Sequence, residues 1–375
     1  MAHPRRLPPI RAFVLCVLAS ACAGTPESHV SAAGSTSRSP SAMVALRSDA
    51  EAGDAVAQFE LAQVYDLGLG VQRDPAVAAE WYRLSAVKGI SQAQHNLALL
   101  YIAGDGVVRD LRMARHWLLD ASGGDLPESQ YLLGCLYREG RGGPRDYLEA
   151  AVWIKRAAEA GMVEAQSDLG LMLLRGEGLT RNEAEAGKWL RRAAEQGDAT
   201  AQTNLGLLYQ RGVGVAPDPV LAAQWLERAA EQGVAVAQDR LGLIYARGEG
   251  VPRDAALAER WLRRAADQGS ASAQFNLGLL YLQGEGVVQN DLEAARWLRL
   301  AAEQGLAAAQ VKIGAMYEHG RGVARDPVTA LMWYSLAAES GESTAIERRE
   351  VLSGALTMDQ IEAAGARARS QAGVL

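Results

Sequence analysis

The chain has 375 residues, of which 49% are hydrophobic, and a formal net charge of -6. This charge excludes the strongly basic surface that recruits nucleic acid. Alanine, leucine and arginine are frequent and β-branched residues are sparse, which favours helices over sheets. With only Cys16, Cys22 and Cys135 present, no disulfide framework is expected.

The first 22 residues have the anatomy of an export signal, with a basic start followed by an apolar run over residues 12–19. That run is far shorter than the roughly 20 residues that span a bilayer. The sequence Leu-Ala-Ser-Ala-Cys at residues 18–22 resembles a bacterial lipoprotein signal, which implies lipidation at Cys22. Ala23 follows this cysteine where an aspartate is absent, as in lipoproteins that are sorted to the outer membrane, so we expect an outer-membrane lipoprotein that faces the periplasm. Simple cleavage, giving a periplasmic or secreted protein, is the alternative.

The next segments connect this signal to the body of the chain. Residues 23–42 are rich in Ser, Thr, Ala and Pro, and we predict a flexible linker. Residues 43–52 align with the second half of the repeat that follows, with Ala45 in its tryptophan position, and we predict an N-terminal half-repeat cap.

One unit of 36 residues then recurs eight times over residues 53–340. Glycine and alanine columns repeat in phase with the tryptophans. The tryptophans are Trp81, Trp117, Trp153, Trp189, Trp225, Trp261, Trp297 and Trp333.

The copy at residues 197–232 shows how each unit folds. Apolar residues spaced i, i+4, i+7 and i+8 from Ala201 predict a first helix, and Gly206 beside them permits close helix packing. Gly212 is suited to the left-handed conformation that ends a helix, and Asp218 is suited to capping the second helix.

A single hairpin of this size has too small a core to be stable alone, so successive hairpins must stack. We therefore predict an all-α, right-handed α-solenoid of eight helix-turn-helix repeats with N- and C-terminal capping helices. The C-terminal capping region is residues 341–375, where the repeat pattern decays. The sequence Thr-Met-Asp-Gln at residues 357–360 predicts a capping box that begins a final helix.

The repeated string Ala-Gln-x-x-Leu-Gly-x-Leu-Tyr-x-x-Gly-x-Gly-Val, followed by Ala-x-x-Trp-Leu-x-x-Ala-Ala-x-x-Gly, resembles the Sel-one-like repeat family of the tetratricopeptide-like superfamily. The resemblance covers about residues 53–341. It implies an adaptor-like protein, and exported bacterial members resemble envelope scaffolds or host-contact factors. Some cysteine-rich relatives are described as penicillin-binding, but this chain lacks their paired cysteines.

The resemblance implies a partner-binding concave face lined by the first helices. On those helices one column varies between copies, which is typical of a surface adapted to a ligand. We predict that it binds a protein or peptide partner, with Phe59, Tyr131 and Phe275 as anchors if exposed. The variable column is Phe59, His95, Tyr131, Ser167, Thr203, Asp239, Phe275 and Val311. A neighbouring leucine column is either an apolar strip along the groove or packed against the adjacent repeat. It consists of Leu99, Leu171, Leu207, Leu243 and Leu279.

Signals for enzyme chemistry are weak. Ser85 and Lys88 form a Ser-x-x-Lys sequence, but Ser-Asp-Asn and Lys-Thr-Gly are absent. The histidines lack a second histidine or a cysteine at i+3 or i+4, so we expect no metal and no cofactor. The sequence thus favours a non-enzymatic scaffold of the bacterial cell envelope, attached to the membrane only through an N-terminal lipid. A penicillin-interacting cell-wall enzyme and a secreted factor that binds a host protein are the alternatives.

Overall fold

The structure is a computed structural model that describes residues 39–284 and 286–372. The predicted export signal and Cys22 lie outside the described residues. Within those two ranges every regular element is an α-helix, which confirms the predicted all-α class. The helices in chain order are α1 (Pro40–Glu51), α2 (Ala55–Leu67), α3 (Pro75–Ala86), α4 (Ser91–Ala103), α5 (Leu111–Ser122), α6 (Pro127–Glu139), α7 (Tyr147–Glu159), α8 (Val163–Arg175), α9 (Glu183–Glu195), α10 (Ala199–Arg211), α11 (Pro219–Glu231), α12 (Ala235–Arg247), α13 (Ala255–Asp267), α14 (Ala271–Gln283), α15 (Asp291–Glu303), α16 (Ala307–His319), α17 (Pro327–Glu339), α18 (Ser343–Ala355) and α19 (Met358–Ala372).

Helix ends follow the predicted caps. The side chain of Asp218 accepts hydrogen bonds from the backbone amides of Val220 and Leu221, and so satisfies amides that the helix itself leaves without partners. First helices end at glycine, as α12 does at Gly248 with a φ of 72°. In each repeat, therefore, an Asp or Asn side chain caps the start of the second helix, and a glycine in the left-handed conformation follows the end of the first helix.

The chain divides into two compact units, residues 1–200 and 201–375. Inside the first unit each first helix packs on the second helix of its own repeat and on that of the preceding repeat, as α4 does on α5 and α3. Inside the second unit α14 packs in the same way on α15 and α13. This side-by-side stacking of hairpins is the arrangement of an α-solenoid.

A small residue, glycine in all but the first two repeats, permits the close approach of the two helices within a hairpin. A Cβ built on Gly206 would lie 2.7 Å from Leu226 Cγ and 3.2 Å from the Ala222 carbonyl oxygen. The first two repeats have Ala62 and Ala98 at this position, both fully buried. A small residue is thus required here by the packing of the two helices, as the sequence indicated.

The ends of the stack differ in detail from the expected boundaries. Helix α1 begins at Pro40, so residues 40–42, predicted as linker, are its first turn. The reason is local, because Ser39 accepts from the Ala42 amide and proline fits the first helical turn. At the other end, Thr357 and Gln360 exchange side chain to backbone hydrogen bonds of 3.4 and 3.0 Å, which confirms the capping box.

Candidate interaction surface

The structure corrects the predicted exposure of the variable column on the first helices. Tyr131 is 8% exposed, and Thr203 and Asp239 are each 3% exposed. Phe59, His95 and Phe275 are half-buried. The cause is the stacking of successive first helices, which buries a second face of each helix besides the one packed on second helices.

In the first unit, Tyr131 takes part in a buried polar contact. Its hydroxyl donates to Asp168 Oδ2 across 3.0 Å, from α6 to α8. Arg138, also on α6, places Nη1 at 3.0 Å from the same carboxylate oxygen. Both charged side chains are largely buried. The aromatic residue predicted as a partner anchor therefore joins two repeats to each other.

Asp239 has the same role in the second unit. Its two carboxylate oxygens accept hydrogen bonds, each of 2.8 Å, from Ser272 Oγ and Asn276 Nδ2 on the next first helix. Asp239 and Asn276 are 37 residues apart, as are Tyr131 and Asp168. A search for complementary polar pairs at this spacing would have found these contacts in the sequence.

The half-buried members of the column also pack against neighbours. The ring of Phe59 lies 6.0 Å from that of Tyr82, a tilted aromatic pair. His95 Nδ1 lies 2.7 Å from Ser129 Oγ of the next first helix. Burial lowers the pKa of His95, partly opposed by the negative charge of Glu128.

The neighbouring leucine column is only partly covered. Leu171 is buried, whereas Leu99, Leu207, Leu243 and Leu279 are half-buried. The structure thus lies between the two alternatives: these leucines pack partly on neighbours and keep part of their surface accessible. In the second unit, two of these leucines lie on helices that carry arginines one turn away on the same face.

We call this second-unit region the arginine–leucine surface; it consists of Leu207, Arg211, Arg240, Leu243 and Arg247. Arg240, Leu243 and Arg247 follow i, i+3, i+7 spacing on α12 and so share one helix face. Leu207 and Arg211 follow i, i+4 spacing on α10. Arg211 and Arg247 are exposed.

Burial and neighbouring charges both act on Arg240 at this surface. Burial lowers the pKa of Arg240, and the charges of Arg211 and Arg247 lower it further, against the opposing effect of Asp239. Arg247 Nη1 also lies 3.3 Å from Glu249 Oε1. Three arginines therefore lie close enough on this surface for their charges to act on one another, with Glu249 beside Arg247.

Ser85 and Lys88, the residues of the Ser-x-x-Lys sequence, both bond to backbone carbonyl oxygens of the fold. Ser85 is fully buried, and its Oγ donates to the Ala55 carbonyl oxygen across 2.7 Å. Lys88 Nζ donates to the Gly53 carbonyl oxygen.

Within residues 39–284 and 286–372, no cluster of three His, Cys, Asp or Glu side chains has a geometry that could hold a metal ion. In the same ranges, no helix has the length and apolarity to cross a membrane.

Stacked helical hairpins with a partly accessible first-helix face define a helical-repeat protein. The Sel1 repeat family matches residues 55–89, 91–122, 127–162, 163–198, 199–234, 235–270, 271–306 and 307–342. The chain therefore belongs to the Sel1-repeat family, as its sequence predicted. Proteins of this family are generally protein-interaction scaffolds, and the fold is typically non-catalytic.

Two solved structures are similar over most of their length. A Sel1 repeat protein from Oxalobacter formigenes is 36% identical, with a TM-score of 0.65, and the match covers 83% of this chain and 90% of that one. A protective antigen present in uropathogenic Escherichia coli strains, with an SLR fold, is 32% identical with a TM-score of 0.59, covering 88% of this chain and 86% of that one. No curated protein matches the chain.

Proposed function

We propose that this protein is a non-enzymatic scaffold of the bacterial cell envelope whose first helices bind a partner protein. The observation that carries the proposal is the arginine–leucine surface, because it combines partly exposed leucines with a cluster of like charges. Apolar contact area with flanking charge is the usual composition of a peptide-binding surface. The partner segment it fits carries apolar side chains alternating with carboxylates.

Site-specific crosslinking tests this surface. A photoreactive amino acid replaces Leu243 in one variant and Val220, an exposed residue of the second helix α11, in the control. We expect a defined protein adduct from position 243 only, and its loss when Arg240→Glu and Arg247→Glu are added. Equal adducts from both positions, or an adduct indifferent to charge reversal, would exclude the arginine–leucine surface as the binding site.

The cell-envelope location rests on the resemblance of residues 18–22 to a lipoprotein signal. Metabolic labelling with a fatty-acid analogue tests it, with wild type and Cys22→Ala compared in membrane and soluble fractions. We expect labelling and membrane recovery that Cys22→Ala abolishes. A soluble, unlabelled wild-type protein would instead support simple cleavage and release.

A secreted factor that binds a host protein is the second candidate. It is favoured by the description of the Escherichia coli relative as a protective antigen, since such a protein meets the host. Recovery of the wild-type protein from culture medium, without lipid, would favour this candidate over the anchored scaffold.

A further inference from the structure

The second helices of the second unit change in chemistry from their first turn to their last. Helices α11, α13, α15 and α17 each end at an exposed acidic residue. No lysine or arginine follows before the next helix begins. We call this side of the unit the acidic edge; it consists of Glu231, Asp267, Glu303 and Glu339.

The opposite ends of these helices expose apolar side chains. Val220 is 48% exposed in the first turn of α11, and Leu292 is 69% exposed in the first turn of α15. Val288, in the loop that leads into α15, is 88% exposed. Among the described residues of the unit, the other exposed large apolar side chains are Val351 and Met358, both in the capping region. In the repeats of this unit, exposed large apolar side chains therefore lie where second helices begin.

The hairpin loops bring these apolar side chains to one edge. A Cβ on Gly286 would lie 2.5 Å from Ala255 Cβ, so the loop that carries Val288 crosses the start of α13. A Cβ on Gly250 would lie 2.3 Å from the Pro219 carbonyl carbon, so the preceding loop crosses the start of α11. Helices α11 and α13 both pack on α12, and α13 and α15 both pack on α14. Equivalent positions therefore recur side by side along this edge, which we call the apolar edge.

Arginines lie between the two edges. Leu292, Arg296 and Glu303 follow i, i+4 and i+11 spacing on α15, so they share one helix face. The corresponding columns of α11 and α13 are also basic, except for Glu227. We call these side chains the arginine row, and all of them are exposed or half-buried. The row consists of Arg228, Arg260, Arg263, Arg264, Arg296 and Arg299.

Part of the arginine row is not neutralised by carboxylates. The guanidinium of Arg228 lies 4.5 Å from the centre of the Trp225 ring, and that of Arg264 lies 4.8 Å from the Trp261 ring. Within the described residues, the ion pairs of these helices leave out Arg228, Arg260 and Arg264. A guanidinium stacked on an indole ring keeps N–H groups at its edge that can donate to an anion. The arginine row therefore presents charge and hydrogen-bond donors to an anionic partner.

The order of apolar, cationic and acidic side chains matches the depth profile of a lipid leaflet. Along an upright helix, the arginine row lies about 6–12 Å from the apolar edge and the acidic edge about 16 Å from it. The headgroup layer of a leaflet is about 5–8 Å thick. With Leu292 at the top of the hydrocarbon, Arg296 therefore reaches the phosphates and Glu303 stays in water. A polyanion lying flat over the whole face would instead meet the acidic edge.

We infer that the second unit binds the surface of an anionic lipid bilayer, with its apolar edge at the top of the hydrocarbon and its arginine row at the lipid phosphates. Buried apolar side chains and the attraction of basic side chains to anionic lipids both contribute to such binding. The acidic edge is repelled by the same lipids, so it faces away and fixes the orientation. This contact adds to the N-terminal lipid that the sequence at residues 18–22 predicts.

Photocrosslinking to lipid tests the inference on the purified full chain, mixed with vesicles of phosphatidylethanolamine and phosphatidylglycerol. A diazirine amino acid replaces Leu292 in one variant. In the controls it replaces Asp267, at the acidic edge, or Val351, an exposed apolar residue of α18. We expect lipid adducts from position 292 at about tenfold the yield of either control, and about a tenfold loss on phosphatidylcholine vesicles. The readout is local to each position, so the N-terminal segment does not contribute to it.

Charge reversal tests the arginine row. Arg260→Glu/Arg264→Glu should lower the lipid adduct from position 292 about tenfold or more, whereas Arg260→Lys/Arg264→Lys keeps the charge and should retain the adduct. Absence of a lipid adduct from position 292, equal adducts from positions 267, 292 and 351, or an adduct indifferent to charge reversal would overturn the inference. So would a protein adduct in place of the lipid adduct, since it would identify a second copy of the chain as the occupant.

This membrane contact is independent of the arginine–leucine surface and of lipidation at Cys22. The protein adduct from position 243 should be unchanged in Arg260→Glu/Arg264→Glu, and the lipid adduct from position 292 should be unchanged in Cys22→Ala. The two proposals can therefore fail separately. Equal circular dichroism spectra and unfolding temperatures for the glutamate and lysine variants establish that both are folded.

Discussion

Gln268 Nε2 donates to Gln238 Oε1 across 2.7 Å, and Gln238 Nε2 in turn donates to the Ala230 carbonyl oxygen across 2.9 Å. The buried glutamine of one first helix is thereby bound to the ends of the second helix before it and the second helix after it. We call these contacts the glutamine ladder. In the second unit it also includes the pairs Gln232–Gln202 and Gln304–Gln274, both 2.8 Å.

Removing one donor of the glutamine ladder should destabilise the fold. Gln268→Ala leaves the carbonyl oxygen of the buried Gln238 amide without its hydrogen-bond donor, and such a loss costs about 1–3 kcal/mol. Urea denaturation should show a lower midpoint with an unchanged slope. Stability equal to wild type would mean that this bond contributes nothing beyond what water replaces.

The last repeat allows the opposite change. Gln310 Oε1 is buried without a hydrogen-bond partner, because Ser340 stands where the four preceding repeats have the donating glutamine. Ser340→Gln should supply that donor and stabilise the protein by about 1 kcal/mol. Ser340→Ala is the control, since it changes the same site without adding a donor. A gain in the alanine variant as well would assign the effect to helix propensity.

The sequence predicted the hairpins well because their signals are local. Periodic apolar residues, Asp218 as a cap and Gly212 as a helix end each depend on neighbours within one repeat. Contacts between repeats were harder to predict. A helical wheel treats Tyr131 as pointing away from the core, but a first helix in a stack has neighbours on more than one side. The predicted site residues Tyr131, Thr203 and Asp239 are therefore buried, and the accessible arginine–leucine surface lies in adjacent columns.

The second glycine of each loop recurs in the sequence, and the structure gives the reason, which is a close approach to the preceding second helix. A Cβ on Gly178 would lie 1.8 Å from the Tyr147 carbonyl oxygen of the preceding second helix. Gly178→Ala should destabilise by more than about 3 kcal/mol, combining this clash with left-handed strain. Gly161→Ala isolates the strain, because its φ of +98° meets no atom within 4 Å, and should cost about 1–2 kcal/mol. Thermal unfolding of both variants measures the difference, and equal losses would refute the close approach.

The Ser-x-x-Lys sequence gives a test of the enzyme alternative. Ser85 is fully buried and donates to the Ala55 carbonyl oxygen, so its hydroxyl is not positioned to attack a substrate. We expect no covalent labelling of wild type by a fluorescent penicillin. Ser85→Ala should instead lower stability by about 1 kcal/mol through the lost hydrogen bond. A penicillin adduct in wild type that Ser85→Ala abolishes would establish the enzyme function.

His95 should make stability depend on pH. Its pKa is lowered by burial, with Glu128 opposing, from the value of 6.5 that it has when exposed. The unfolded chain therefore binds a proton more readily than the folded one, and stability falls as pH drops through 6.5 toward the lowered value. His95→Gln keeps a polar group opposite Ser129 but does not titrate. Urea midpoints measured between pH 8 and pH 5 should decline more steeply in wild type than in His95→Gln. An equal decline of the midpoint with pH in both proteins would mean that His95 is accessible to water in the native state.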